Sequence, residues 1–254
     1  MKVWFPLLLA TAVALISGCA SVPTDPVARA EFKANNDPLE PLNRRIFAAN
    51  LFVDKVLIKP VALGYRHAIP QPGRDAIHRF LMNLDEPVIL VNEILQGRFA
   101  DATTTADRVI INTTFGFAGF VDVASKNNAP KKKADFGQTL YVWGIHEGPF
   151  LMIPLFGPSN PRDGLGIGAD IYLDPIRYVA RANHYPTAFS TGRTVVNGID
   201  LRERNIETMD ELQHEAVDFY ASLRSLYRQN RAAELNNGKV STTPPAGFYD
   251  DPGK

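Results

Sequence analysis

The segment from Leu15 to Cys19 constrains this chain more than any other, because it ends a short apolar run with the only cysteine in the sequence. The apolar run from Val3 to Ile16 has about the length of the hydrophobic part of a signal peptide and is too short to span a membrane. Small residues before such a cysteine are typical of a bacterial lipobox, in which the chain is cut after Gly18 and the cysteine is acylated. We therefore predict a lipoprotein signal peptide over residues 1–18 and lipid attachment at Cys19.

An ordinary secretory signal that leaves Cys19 as a thiol is the alternative. A single cysteine forms no internal disulfide, so an exported chain that carries one needs another explanation for it. Acylation supplies that explanation, since two or more acyl chains anchor a protein stably to a membrane. The next residue is Ala20 rather than aspartate, which resembles the signal that sends lipoproteins to the outer membrane.

Length and charge exclude some classes of function. The 236 residues left after removal of the signal peptide (254 − 18) suffice for one large domain or two small ones. The 27 basic residues equal the 27 acidic ones, so no strong positive field favours nucleic acid as a partner. The mature chain has no uninterrupted apolar run of about 18 residues, and we expect no conventional transmembrane helix in it.

We predict that the mature chain consists of a tether, a folded domain and a tail. Residues 19–36 are polar and contain prolines, which indicates a lipidated tether. The domain is expected over residues 37–236, and the tail over residues 237–254 is expected to be disordered. At its start, Asp37 suits a helix N-cap, Pro38 the first helical position and Glu40 the third. The helix is predicted to run to about Lys59, and its apolar middle favours either the core or lipid.

Prolines and glycines divide the rest of the domain into short pieces. The predicted helices cover about residues 74–84, 85–97, 101–114 and 136–144. Residues 148–158 are expected to be extended, either buried or dipping into a leaflet while backed by helices. The C-terminal third is predicted to be a helical hairpin, in which Thr208 and Glu211 form a capping box that opens a helix to about Leu235.

A loop that interleaves glycine with phenylalanine follows the third of these helices. Glycine permits sharp bends and close backbone approach. Its aromatic side chains could line or gate an apolar passage, and the alternative is a turn whose aromatics fill the core. The candidate residues are Phe115, Gly116, Phe117, Gly119 and Phe120.

The sequence shows little sign of catalysis. It lacks the metalloprotease and serine-hydrolase motifs and a cysteine pair for zinc, and its histidines are scattered. We therefore predict no catalytic residue, no metal and no cofactor. A lipid hydrolase that uses His146, Glu147, Ser159 and Asp163 stays open as an alternative, because catalytic groups converge in space rather than in sequence.

Six motifs resemble the VacJ/MlaA family of lipoproteins, in the order of that family. They are Asp37-Pro38-Leu39-Glu40-Pro41-Leu42-Asn43-Arg44, the segment from Gly116 to Ala124 with Asp122, Phe136-Gly137-Gln138-Thr139-Leu140, Gly148-Pro149 through Pro154 to Gly157-Pro158-Ser159, Arg162-Asp163 and Asp174-Pro175. Each motif alone is weak, but the ordered set behind a lipobox is specific and covers roughly residues 32–236. The sequence departs from the family at Pro41-Leu42, where many members have Gly-Phe.

The resemblance implies a mostly α-helical, ring-shaped bundle of short amphipathic helices in the periplasmic leaflet of a Gram-negative outer membrane. It implies an amphipathic channel through which mislocalised phospholipid leaves the outer leaflet, so that lipid asymmetry is maintained. The implied partners are phospholipid, a trimeric porin and the soluble periplasmic carrier MlaC. A lipoprotein that only scaffolds porins is the alternative.

The resemblance also assigns roles to residues. The loop with Phe115 to Phe120 matches the segment beside the channel in the family. A structural role is expected for the remaining motif residues, which are Asp37, Pro38, Glu40, Asn43, Arg44, Asp122, Gly137, Pro149, Pro154, Arg162, Asp163, Asp174 and Pro175.

Overall fold

The computed structural model describes residues 22–183 and 187–236, and the chain is mostly α-helical there. The predicted mostly α fold is confirmed. No helix in these two ranges is both long and apolar enough to cross a bilayer. The predicted signal peptide, Cys19 and the predicted tail over residues 237–254 lie outside the described residues.

The described residues form α-helices, two short strands, a π-helical segment and a 3-10 helix. The α-helices are α1 (Pro26–Asn35), α2 (Glu40–Val53), α3 (Lys59–Ala68), α4 (Gln71–Leu95), α5 (Phe99–Thr114), α6 (Phe136–Val142), α7 (Pro161–Leu173), α8 (Pro175–Ala182), α9 (Thr187–Arg204), α10 (Ile206–Glu215) and α11 (Phe219–Leu235). The π-helical segment is Asp54–Ile58, and the 3-10 helix is Ala124–Asn127. The strands β1 (Leu151–Ile153) and β2 (Gly157–Ser159) pair antiparallel as a hairpin.

The chain forms two compact units, and the predicted domain contributes to both. Among the described residues, unit 1 comprises residues 22–52, 147–161 and 217–236, and unit 2 comprises residues 53–146, 162–183 and 187–216.

An aromatic core holds unit 1 together. Phe47 on α2, Phe150 and Met152 in the hairpin, and Tyr220 on α11 are all buried. The rings of Phe47 and Tyr220 lie 5.6 Å apart in an edge-to-face arrangement, which aromatic pairs prefer. Three segments that are distant in sequence therefore share one core.

The helices α4 and α5 form the main pair of unit 2. Their connection is short, which makes consecutive helices antiparallel neighbours. Gly97 adopts φ +72 there, and the amide of Arg98 donates to the carbonyl of Glu93 at 2.8 Å. This is the Schellman geometry that ends helices at glycine.

The helices predicted over residues 74–84 and 85–97 are in fact one helix, α4, which contains Pro87. A proline inside a helix removes one backbone hydrogen bond and costs about 3 kcal/mol. The long face of α4 that packs on α5 offsets this cost. Pro70 and Pro72 lie at the N-cap and in the first turn of α4, where a missing N–H breaks no helical bond.

The predicted helix end at Lys59 is also wrong. Lys59 begins α3, which continues through Pro60 to Ala68. The π-helical segment lies immediately before this proline. Its wider turn gives room to a ring that otherwise clashes with the carbonyl four residues earlier.

The single helix predicted from the capping box to Leu235 is two helices, α10 and α11. Helix α10 starts at Ile206, so Thr208 lies inside it rather than at its cap. The chain leaves the helical conformation before Asp218, whose side chain accepts from the Ala221 amide at 3.1 Å. Aspartate at this position caps the second helix.

The segment predicted to be a tether contains α1. Pro26 occupies its first position, where proline is favoured, and three alanines follow. Alanine has the highest helix propensity, which explains why this polar segment is helical.

Candidate functional site

Asp37, the first motif residue, is buried in unit 1 and is bound by three side chains. Its carboxylate accepts hydrogen bonds from Asn43 and Arg224, both at 2.8 Å, and from the Tyr220 hydroxyl. Burial and the bond to Asp37 raise the pKa of Tyr220. The expected N-cap role is wrong, because these charge-assisted bonds occupy the carboxylate and the Glu40 amide donates to the Asp37 carbonyl instead.

Two asparagines of α2 hold the hairpin through its backbone. The Asn43 side chain donates to the Phe150 carbonyl at 3.1 Å and accepts from the Met152 amide at 2.9 Å. Asn50 makes the equivalent pair of bonds, at 3.0 and 2.9 Å, further along the hairpin. Seven residues are about two helical turns, so both amides lie on one face of α2. Asn43 therefore connects helix and strand.

Glu40 and Arg44 tie α2 to the start of α11, and Pro38 lies in the turn before α2. The Arg44 guanidinium donates to Glu40 at 2.8 Å and to both oxygens of Asp218 at 3.1 and 2.5 Å. It also lies 4.5 Å from the centroid of the Tyr220 ring. A bidentate pair with a stacked ring fixes one geometry, which supports the structural role expected for these residues.

The motif prolines lie on either side of β1. Pro149 precedes the buried Phe150, and Pro154 opens the turn between the two strands. At the tip of this turn, Leu155 and Phe156 are 67% and 60% exposed. The segment is extended on both sides of the turn, with Phe150 and Met152 buried and the tip presented to the surroundings.

The phenylalanine–glycine loop separates its three aromatic side chains. Phe115 and Phe117 are 73% and 78% exposed. Phe120 stacks on Phe80 of α4, with ring centroids 4.8 Å apart. The loop thus presents two rings to the surroundings and uses the third to hold itself on α4.

The glycines of this loop allow close backbone contacts. Gly119 adopts φ +97, and a Cβ there would lie 2.4 Å from the Cβ of Asn83. A Cβ on Gly116 would lie 2.2 Å from the Val121 carbonyl oxygen. The side chain of Asn83 also donates to the Ala118 carbonyl at 3.3 Å. Both glycines therefore serve close approach of the backbone, and Gly119 also provides a positive φ.

Asp122 anchors the end of the loop. Its carboxylate accepts from the Ser125 hydroxyl at 2.6 Å and from Asn112 at 3.1 Å, and Arg108 lies 3.4 Å away. Burial opposes ionisation, but these hydrogen bonds and the charge of Arg108 outweigh it and lower the pKa of Asp122 to about 2. The carboxylate therefore stays charged and binds the loop to α5.

A buried polar seam between α4 and α5 was not identified from the sequence. Glu86 pairs with Arg108 at 2.8 Å, and both are buried. Glu93, seven residues along α4, faces Thr105 and is fully buried. Neither oxygen of Glu93 nor the Thr105 hydroxyl has a hydrogen bond of good geometry among the described residues. We use the name seam for Glu86, Glu93, Thr105 and Arg108.

The seam acids are shifted toward their neutral forms. Burial raises the pKa of Glu86, although Arg108 opposes the shift, and burial likewise raises the pKa of Glu93. Glu86 and Glu93 lie on either side of the apolar run over residues 88–91, about two helical turns apart, which is a signal that the sequence offered.

The remaining motifs fix helices in unit 2. Arg162 pairs with Asp163 at 2.9 Å, and both are buried. Gly137 marks a helix crossing, since a Cβ on Gly166 of α7 would lie 2.5 Å from its nitrogen. Asp174 accepts from Arg193 of α9 at 2.6 Å, and Pro175 is the first residue of α8.

The described residues reverse the usual distribution of polar and apolar side chains. Soluble domains bury aliphatic and aromatic residues and rarely bury acids completely. Here the largest fully buried side chains are all polar, namely Glu86, Glu93, Asn43, Asn92, Thr105, Thr139, Asp37 and Asp200. Large apolar side chains that are more than 60% exposed include Phe52, Phe99, Phe115, Phe117, Leu155, Leu165 and Tyr172. Exposed apolar surface on this scale is typical of a membrane or protein contact.

The groups considered for a hydrolase lie in different surroundings. Ser159 is 2% exposed, and its hydroxyl lies 3.4 Å from the Asn160 carbonyl. His146 is exposed, whereas Asp163 is buried against Arg162. The Ser159 hydroxyl is therefore not presented at the surface.

Comparisons with known proteins agree with the motif order. The family model described as MlaA lipoprotein matches residues 35–234. A protein of Escherichia coli K12 named intermembrane phospholipid transport system lipoprotein MlaA is 32% identical over 91% of this chain and 89% of its own length. A protein of the same name from Haemophilus influenzae is 30% identical over 81% of each chain. A solved structure, reported as the structural basis for maintenance of bacterial outer membrane lipid asymmetry, matches with a TM-score of 0.68 and 31% identity, over 79% of this chain and 99% of its own.

Proposed function

This chain belongs to the MlaA lipoprotein family, and from that premise we propose how it acts as an outer-membrane lipoprotein of phospholipid transport. It removes mislocalised phospholipid from the outer leaflet and passes it toward the periplasm, which maintains the lipid asymmetry of the outer membrane. The E. coli and H. influenzae relatives carry the name of this transport system.

The reversed burial pattern is the observation that carries this proposal. A protein surrounded by lipid gains nothing by hiding apolar side chains, and its ionisable residues face its own interior. Fully buried Glu86 and Glu93, together with exposed Phe117 and Leu155, fit such surroundings. Short helices with apolar faces lie in one leaflet where a spanning helix cannot form.

A phospholipid needs both a polar and an apolar contact along its path. Moving its headgroup through an apolar layer without compensating hydrogen bonds is costly, and a polar wall reduces that cost. The exposed rings of Phe115 and Phe117 support contact with acyl chains at the phenylalanine–glycine loop. No covalent chemistry is required.

The lipid anchor is the second part of the proposal. Acyl chains on Cys19 hold the mature chain in the periplasmic leaflet, since each buried methylene contributes about 0.8 kcal/mol. The substitution Cys19→Ala is expected to abolish membrane attachment. Labelling with a radioactive fatty acid checks this, and an equally labelled variant would refute the lipobox.

The proposed partners follow from the same family. We assign a trimeric porin as the neighbour in the membrane and the soluble carrier MlaC as the acceptor of phospholipid. The surface of the exposed apolar side chains is available for contact with a porin as well as with lipid.

Mass spectrometry of the purified, lipidated protein tests the transport proposal. We expect phospholipid to co-purify with the protein, together with a porin. A preparation that retains a porin but never phospholipid would favour the scaffold instead. Release of fatty acid from purified phospholipid, lost in the Ser159→Ala variant, would favour the hydrolase.

A further inference from the structure

A charged cleft in unit 2 has no role in the features described above. It has a volume of about 380 Å³, within the range of small-ligand pockets. Its charged lining contains arginines and carboxylates in equal number, which are Arg66, Arg74, Arg204, Asp75, Glu203 and Glu207. A cleft with so polar a wall suits a headgroup rather than an acyl chain.

The floor of the cleft is a fixed ion-pair network. Glu203, whose side chain is 5% exposed, accepts from Arg66 Nε at 2.8 Å and lies 3.2 Å from Arg74 Nε. The side chain of Arg74 is only 12% exposed. It also donates to the carbonyl of Arg66 in α3 and to the carbonyl of Ile69, the C-cap of that helix. The backbone and buried Glu203 therefore hold two guanidinium groups in place.

The mouth of the cleft carries ion pairs that are accessible. Glu207 pairs with Arg66 and its side chain is 68% exposed. The bond to Arg66 lowers the pKa of Glu207 to about 2, so this carboxylate is charged at any physiological pH. Arg204 pairs with Asp75 at 2.9 Å, and both side chains are about a third exposed (29% and 34%).

Accessible ion pairs are easily exchanged, because water and salt screen them and each contributes little to stability. A ligand with a single charge gains little here, since an anion that draws an arginine away leaves a carboxylate without its partner. A ligand that carries both charges can satisfy both sides at once. Arginine binds phosphate in a bidentate fashion.

The carboxylates at the mouth further select the kind of cation. A primary ammonium has three N–H donors for Glu207 and Asp75. A quaternary ammonium, as in choline, has no N–H donor for them.

We propose that this cleft binds a phosphoethanolamine group, with its phosphate on the arginines and its ammonium on Glu207 and Asp75. Within the proposed function, on which this inference rests, the source of the group is an ethanolamine phospholipid. A soluble phosphoethanolamine ester has the same chemistry and is distinguished below.

Native mass spectrometry tests the proposal on the full-length lipidated protein in detergent micelles that contain equal amounts of phosphatidylethanolamine and phosphatidylglycerol. We expect the ethanolamine lipid to be retained about tenfold more than the glycerol lipid, the factor given by one charge-assisted hydrogen bond. Phosphatidylcholine in place of phosphatidylethanolamine is expected to lose most of this preference.

Two matched variants of α10 assign the preference to the cleft. Glu207→Gln removes an exposed carboxylate at the mouth and is expected to lower the retention ratio severalfold. Asp210→Asn, one helical turn further on, removes an exposed carboxylate from its ion pair with Lys59 outside the cleft and is expected to leave the ratio unchanged.

Competition with glycerophosphoethanolamine identifies the source of the group. Displacement at equal concentration would show that the cleft recognises the soluble ester, and weaker displacement would show that it requires the lipid. Equal retention of both lipids by the wild type, or equal ratios in the two variants, would overturn the proposal. Phospholipid retained without preference leaves the transport function standing, whereas phospholipid absent from every preparation contradicts that function.

Discussion

Two regions of this molecule differ in the hydrogen bonding of their buried carboxyl groups. In unit 1, the Asp37 carboxylate accepts hydrogen bonds from Asn43, Tyr220 and Arg224. In the seam of unit 2, the equally buried carboxyl of Glu93 faces Thr105 but has no hydrogen bond of good geometry among the described residues, and Glu86 has a partner for only one of its oxygens.

This difference distinguishes a buried carboxylate that stabilises the fold from buried acids that do not. A buried carboxylate with partners on remote segments fixes one arrangement of those segments. Burial destabilises the charged form of a carboxyl that has few partners, so its pKa rises above the ordinary value. Such a group lowers stability at neutral pH, and its presence indicates that a polar interior serves another purpose. The Asp37 cluster is therefore interpreted as fixing the fold, and the seam, which has almost no accessible surface, as a polar layer in the interior of unit 2.

We expect removal of the Asp37 carboxylate to have the largest effect on the free energy of unfolding. A small effect would contradict the comparison between the two regions. Asp37→Ala leaves buried Arg224 with only its longer contact to Glu40 at 3.5 Å, and breaking a buried pair costs about 3–5 kcal/mol. Chemical unfolding of the detergent-solubilised protein measures the loss. Asp210→Asn, which alters an exposed ion pair, is the control and should change the free energy of unfolding by less than about 1 kcal/mol.

A methyl group in the phenylalanine–glycine loop should have the next largest effect. Gly119→Ala places a Cβ 2.4 Å from that of Asn83 and imposes a positive φ on alanine. We expect a loss of about 2 kcal/mol, which thermal unfolding detects. Gly198→Ala on α9, where a Cβ meets no atom within 4 Å, is the control and should not destabilise. A loop variant as stable as this control would show that the loop moves easily.

Neutralisation of Glu93 is expected to raise the free energy of unfolding, whereas removal of the Asp37 carboxylate is expected to lower it. This contrast sharpens the comparison between the two regions. The folded-state pKa is raised above the ordinary value of 4.5, so the wild type is most stable below that pH and loses stability as pH rises through the folded-state pKa. Glu93→Gln abolishes this loss and is expected to gain about 1 kcal/mol at pH 8 and less at pH 4.

Unfolding curves at the two pH values check the Glu93 prediction. The exposed Glu211→Gln is the control, with little change at either pH. A Glu93→Gln protein that is less stable at pH 8 than the wild type would mean that the carboxylate has a partner.

A charge on the phenylalanine–glycine loop should have the smallest effect on stability and a clear effect on the amount of phospholipid in the outer leaflet. Phe117 is 78% exposed, so Phe117→Asp is expected to change the free energy of unfolding by less than about 0.5 kcal/mol. Phospholipid in the outer leaflet of cells that carry the variant should rise, because a charged side chain repels acyl chains. Phe117→Leu keeps an apolar contact and should remain near the wild type.

Local patterns in the sequence predicted the helices that have strong periodicity. Helices α5 and α6 lie within a few residues of their predicted positions. Proline was the main source of error, because Pro60 and Pro87 are accommodated inside helical segments by a π-helical turn and by packing on α5. Local rules do not include the tertiary contacts that offset such costs.

The site could be predicted only in part, since its contacts join distant segments. The motif from Asp37 to Arg44 was evident, but its partners Tyr220 and Arg224 lie more than 180 residues away. An aspartate before a proline has the pattern of an N-cap, and only the folded chain shows that its side chain is used elsewhere. The seam acids gave no clear signal, because each stands beside another polar residue, Asp85 or Asn92, and their burial depends on packing against α5.

The amount of phospholipid in the outer leaflet of cells that lack this protein is the most direct test of the account. The account predicts that this amount rises when the gene is deleted and returns to normal when the full-length wild-type chain is restored, at unchanged porin levels. Surface phospholipid that stays at the parental level after deletion would contradict the assignment to phospholipid transport.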